Sequence, residues 1–184
     1  MTARIAPAQA PYPADIQAAL DATMRGKPPL LLFTTIARDP GLFQKFFAGG
    51  LLDRGNLTTR QREIVIDRTT ALCKSEYEWG VHVAVYAAHA GFDSAQIASL
   101  AHGDALDACW SPEEQLLLTL CDQLQTDCTV TDALWSALKA AFPDEAILEL
   151  LMLAGFYRSV SYLTNALRLP LEHNAVRFPK AATA

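Results

Sequence analysis

Residues 73–82, CKSEYEWGVH, place a thiol, a hydroxyl, two carboxylates, a phenol, an indole and an imidazole within ten positions. At about 100° per residue, Ser75, Glu78 and His82 fall at i, i+3 and i+7 and share one side of a helix. Tyr86 continues that line, and His89 lies nearby one turn further on. Glu78 and His82 are i,i+4 neighbours within hydrogen-bonding reach of each other. A carboxylate beside an imidazole fixes its tautomer, and the imidazole titrates close to working pH, which is what general acid–base chemistry needs. The flanking residues Val81, Val83, Ala84, Val85, Ala87 and Ala88 make the helix mostly apolar. Its polar groups are therefore expected to be buried and partnered. Spacing alone leaves two readings open, a small acid–base pocket and a satisfied structural network. Glu63 is a further candidate, because it follows Arg60 and Arg62 where the preceding segment turns apolar at IVI.

The elements that must position these groups read as helices, with no β-alternation. Helix starts are marked by capping-box patterns: Thr58 with Gln61, Asp93 with Gln96, and Ser111 with Glu114, the last followed by Pro112 at the first helical position. Gly91 is a suitable stop. Helices are expected over 15–24, in two short apolar pieces divided at Asp39-Pro40, and over 56–73, 75–91, 93–103, 111–125, 132–141 and 144–167. The last is apolar on nearly its whole circumference, so it must be covered on all sides. Glu149, Arg158, Ser159, Ser161, Thr164 and Asn165 interrupt its apolar run, which argues for a core or interface helix over a membrane span.

The fold class is all-α and single-domain, with a Pro-rich flexible arm at 1–13, a helical domain at 14–175 and a tail at 176–184. Half of the 184 residues are apolar and 19% are charged, the profile of a folded chain that covers part of its apolar surface with another subunit. The net charge of −5, with no long Lys/Arg run, excludes a phosphate-tracking surface. The start has no apolar core of a secretory signal, and the four cysteines (73, 109, 121, 128) lack metal or redox spacing. They are expected to be reduced thiols in a cytoplasmic protein.

Residues 57–97, LTTRQREIVIDRTTALCKSEYEWGVHVAVYAAHAGFDSAQI, resemble the carboxymuconolactone decarboxylase / alkylhydroperoxidase D-like family in motif order, spacing and helix punctuation. The resemblance implies a homo-oligomeric helical bundle (dimer, trimer or hexamer) and a site on Glu63, Glu78 and His82. The family's peroxidase branch carries two redox cysteines where this chain has Ser75 and Glu78. Peroxide reduction by a dithiol needs an attacking thiolate and a resolving thiol, so that activity is not expected. Cys73 is two residues from the lost position and turned through roughly 200°, onto another face.

The decarboxylase branch implies acid–base chemistry on a small lactone, enol or keto acid, without a cofactor. In that reading His82 moves the proton and Glu78 orients it. Glu63, if desolvated, is the second titrating group. Ser75, Tyr77, Tyr86 and Arg62 are candidate substrate-binding residues, with Arg62 or Arg68 able to clamp a carboxylate or simply to pair with Glu63 or Asp67. Trp79 and Phe92 read as core. Two alternatives stand beside it: a metal site on Glu63, Glu78, His82 and His89, or a non-catalytic oligomeric binding module. His102 and His173 are too isolated to enlist. The expected partners are a small-molecule substrate and further copies of the chain, with no nucleic acid and no membrane.

Overall fold

The computed structural model describes residues 3–49, 51 and 55–180, so Met1, Thr2, the end of the third expected helix and the last four residues of the tail lie outside it. Among the described residues there are nine helices and no strand. They are α1 (Ala14–Met24), α2 (Leu31–Ile36), α3 (Pro40–Ala48), α4 (Thr59–Leu72), α5 (Glu76–Ala90), α6 (Ser94–His102), α7 (Pro112–Asp127), α8 (Asp132–Ala141) and α9 (Asp144–Leu167). The three capping boxes form as their sequences require: Thr58, Asp93 and Ser111 each accept from the third helical N–H, and Gln61, Gln96 and Glu114 reach back. Gly91 ends α5 at φ +70°, a conformation that glycine adopts without strain.

Helix α4 is the axis of the molecule, packed against α5, α6, α7 and α9. Nine consecutive residues, Glu63–Ala71, are buried on it, so even its polar positions Glu63, Asp67, Arg68, Thr69 and Thr70 must be satisfied inside the protein. The main core gathers Ile64 and Ile66 of α4, Leu117 and Leu120 of α7, and Leu150 and Leu153 of α9. A second cluster joins α1, α2 and α3 to Tyr77 and Val160 through Ile16, Leu32 and Phe43.

Two non-helical segments tie the ends down. In the arm, Arg4 N donates to Leu167 O at 2.8 Å and Ala8 N to Thr34 O at 2.9 Å. After α9 the chain returns across α5. There Val176 N donates to Gly80 O at 3.1 Å, and Phe178 lays its ring 4.9 Å from that of Trp79.

Helix α9 is long and apolar enough to cross a membrane, yet nine of its residues are buried in the bundle. It is not covered all round. Leu148 (63%), Met152 (64%) and Tyr162 (58%) are exposed, with Gly155 and Ser159 also exposed between them.

Candidate functional site

Glu63 arrives from α4 and both Glu78 and His82 from α5, two helices in extensive contact. His82 Nδ1 lies 2.8 Å from Glu63 Oε2. On the other side of the ring, Nε2 is 3.5 Å from Glu78 Oε1. The exposures are 1%, 6% and 5% for Glu63, Glu78 and His82. The three candidate residues thus converge, but with the emphasis changed: the partner that grips the imidazole is Glu63 across the helix pair, and the i,i+4 neighbour Glu78 is the looser one. Burial alone would lower the imidazole. The charge and hydrogen bond of Glu63, followed by those of Glu78, outweigh it and raise His82 well above its ordinary value. At neutral pH the ring is an imidazolium held between two carboxylates.

Asp67 is a member of this group that the sequence pattern did not single out. It is 1% exposed, one turn along α4 from Glu63. Burial pushes its carboxyl up, His82 pulls it down, and Glu63 and Glu78 push it up further, leaving it well above the usual range. Neither of its oxygens has a hydrogen-bond partner among the described residues, and Glu78 Oε2 is buried and unpartnered as well. Tyr157 of α9 is the other missed residue. Its ring stands edge-on to the imidazole at 5.0 Å, and burial keeps its hydroxyl protonated far beyond neutral pH.

The remaining candidates divide. Tyr86 flanks the imidazole, with ring centroids 5.4 Å apart. Arg62 Nε is 3.9 Å from Glu63 Oε1 and brings a positive charge to the cluster. Ser75 sits just ahead of the first turn of α5, and its hydroxyl, fully buried, meets Thr164 Oγ1 at 2.8 Å. Tyr77 turns into the second core cluster, where its hydroxyl donates to Glu172 and accepts from Leu32 N at 3.1 Å. Burial and then Glu172 raise that phenol, so it remains a hydrogen-bond donor. Arg68 is committed elsewhere: it forks onto Asp122 at 2.7 and 3.0 Å and reaches the Gly103 carbonyl. His89 is exposed, and His102 contacts the Pro179 carbonyl. Trp79 is wholly buried and Phe92 packs against the core. Cys73 caps α4, half-buried and raised by that burial, its Sγ 3.6 Å from Gln125 Oε1.

Among the described residues, no three His, Cys, Asp or Glu side chains are grouped to hold a metal ion. The geometry explains this. Glu63 and Glu78 bracket opposite nitrogens of one ring, so they do not aim at a common point beside it. Two cavities are formed elsewhere. One of about 190 Å³ lies between α4, α7 and α9, bordered by Thr69, Cys121, Cys128 and Arg158. The other, about 330 Å³, lies under the arm near Leu31 and Leu169.

The carboxymuconolactone decarboxylase family model matches residues 41–120, the span that carries α4, α5 and the whole cluster except Tyr157. Among solved structures, the chain is similar to an uncharacterized peroxidase-related protein from Silicibacter sp. TM1040 (17% identity over 97% of this chain and 96% of that one, TM-score 0.82). It is similar as well to the alkylhydroperoxidase AhpD core protein from Ralstonia eutropha JMP134, an uncharacterized peroxidase-related protein (21% identity over 94% of each chain, TM-score 0.78). The debrominase Bmp8 has the same fold at 11% identity over 92% of each chain, with a TM-score of 0.75. No curated protein matches the chain. Residues 41–120 therefore carry the carboxymuconolactone decarboxylase family segment, in a chain whose fold is AhpD-like.

Proposed function

We propose that this protein is a cofactor-free acid–base enzyme that moves a proton at a carbon next to a carbonyl, in a small lactone, enol or keto acid. One observation carries the reading: the buried Glu63–His82–Glu78 cluster is unfinished. A structural network buried this deeply satisfies its acceptors. Among the described residues, Glu78 Oε2 and both oxygens of Asp67 have no donor. They are buried polar groups placed for something besides each other.

In this mechanism Glu63 holds Nδ1–H, which fixes the ring and leaves Nε2, the more loosely engaged nitrogen, as the working atom. Breaking the C–C bond to a carboxylate in a keto acid releases carbon dioxide and leaves the bonding electron pair on the α-carbon as an enolate. The Nε2 proton is delivered to that carbon, the imidazolium becomes neutral, and solvent restores it. Tyr157, whose hydroxyl burial keeps protonated, and Tyr86 flank the ring and are candidate donors to the developing oxyanion. Tyr77 and Ser75 anchor α5 through their ties to α2 and α9.

The test is deuterium exchange at the α-carbon of a panel of small lactones, enols and keto acids in D2O, followed by NMR. Glu63→Gln and His82→Gln, which keep the packing, are expected to reduce wild-type exchange by about 100-fold or more. Exchange by the wild type that neither substitution reduces would end this assignment. A second reading, a non-catalytic binding module on the same scaffold, draws on the cavities, neither of which borders the cluster. Absence of exchange with every member of the panel selects it.

Both readings include a homo-oligomer. On α9, exposed Leu148, Met152, Gly155, Ser159 and Tyr162 follow a 4-3-4-3 spacing, the seam of a helix pair, and the small residues at its centre allow close approach of a second copy. Met152→Glu is expected to lower the solution mass measured by light scattering to that of one 20.0 kDa chain. A wild-type protein already of that mass removes this element of the proposal.

A further inference from the structure

We propose that Asp67 carries a proton in the folded protein, an uncharged acid buried beside the Glu63–His82–Glu78 cluster. The placement requires it. Asp67 is 1% exposed, and neither oxygen finds a donor among the described residues. An ionised carboxylate in that setting is heavily penalised.

The cluster it sits beside is built from three helices. On α4 stand Glu63 and Arg62, on α5 Glu78 and His82, and on α9 the protonated Tyr157. Arg68, next in sequence, is turned away to Asp122 of α7 and to the Ser99 and Gly103 carbonyls around the end of α6. The pull of His82 toward ionisation is opposed by burial and by both glutamates.

The consequence concerns acid strength. A third carboxylate would tighten the imidazolium's hold on its proton, whereas a neutral Asp67 leaves that proton more readily released. The proton count stands whether or not the cluster is catalytic. Only its bearing on acid strength rests on the function proposed above.

The experiment needs no substrate, so its failure is separate from failure of the enzymatic reading. The His82 imidazole nitrogens are titrated by NMR in the wild type, Asp67→Asn and Asp67→Leu, with Glu63→Gln as the control that must lower the midpoint. Both Asp67 variants are expected to leave the His82 midpoint within about half a pH unit of wild type. A fall of more than about one unit, the effect of deleting a neighbouring negative charge, overturns the proposal.

Denaturant unfolding across pH gives a second arm. A carboxyl raised in the folded state makes the protein lose stability as pH rises from its unfolded value of about 3.9 to its folded midpoint. Asp67→Asn has no such loss. Its folding constant is expected to gain on wild type by about tenfold per pH unit over that window. A variant that loses ground as pH rises contradicts a protonated Asp67.

Discussion

Replacing His82 with alanine is expected to cost about 3–5 kcal/mol of folding stability near pH 6, far more than loss of its packing. The reason lies in what remains. Glu63 is 1% exposed and its Oε2 faces Nδ1 at 2.8 Å, so removing the ring strands a buried carboxylate beside Glu78 and Asp67. The penalty depends on pH through the titration of His82. His82 is raised in the folded state, so its contribution is complete below its unfolded value of about 6.5 and is lost as pH rises through the folded midpoint. Urea denaturation of wild type and variant from about pH 6 upward traces the curve. Adding Glu63→Gln to His82→Ala is expected to restore a large part of the loss, because the two sites are in contact and not additive. A penalty of only a few tenths of a kcal/mol, flat with pH, would mean that the imidazolium pair does not exist.

The contrast between Glu78 and Glu63 shows what a sequence can and cannot specify about this cluster. The i,i+4 spacing correctly put Glu78 beside His82, because a helix fixes that relation by itself. It said nothing of strength, and the tighter partner came from another helix. That pairing depends on how α4 and α5 are rotated against each other, which their packing decides. The helices were legible for the same reason that Glu78 was. Thr58/Gln61, Asp93/Gln96 and Ser111/Glu114 are local chemistries, and each formed its box.

Asp67 carried a faint signal, a single acid inside the apolar run IVIDRTTAL, one turn from Glu63. Reading it required knowing that all sides of α4 are covered, a fact of tertiary structure. Tyr157 had no signal, since it lies 75 residues beyond His82 in sequence and meets it only because α9 packs on α4 and α5. Arg68 was ambiguous between clamp and ion pair until Asp122 of α7 was brought opposite it. The apolar circumference of α9 led to the expectation of cover on all sides, part of it from a partner subunit. Within one chain Leu148 and Met152 face outward, on the face that expectation leaves to a partner.

Least legible of all was the return of the chain over α5, because residues 170–180 have no periodicity to read. Its one trace in the sequence is Gly80, an isolated glycine in the middle of a helix. Gly80→Ala ordinarily stabilises a helix by about 1 kcal/mol. Here it is expected to destabilise by about 1–3 kcal/mol, because the new methyl would stand 2.2 Å from Val176 O. That atom is backbone and cannot rotate away, so the whole segment must lift. Lifting it loses the Val176 N–Gly80 O hydrogen bond and the Phe178 N–Glu76 bond at 3.0 Å, and it uncovers Trp79, now fully buried beneath Phe178. The Arg177–Glu76 pair is mostly exposed and adds little resistance. Amide exchange at Val176 and Phe178 is expected to accelerate in the variant while α4 and α9 remain protected, and tryptophan emission is expected to shift to the red. The consequence reaches the site: Glu78 and His82 lie on either side of Gly80 on α5, so a bulge that relieves the clash would move both relative to Glu63. If the alanine variant is instead more stable by the ordinary helix increment, with Val176 and Phe178 still protected, the segment does not cross α5 at Gly80.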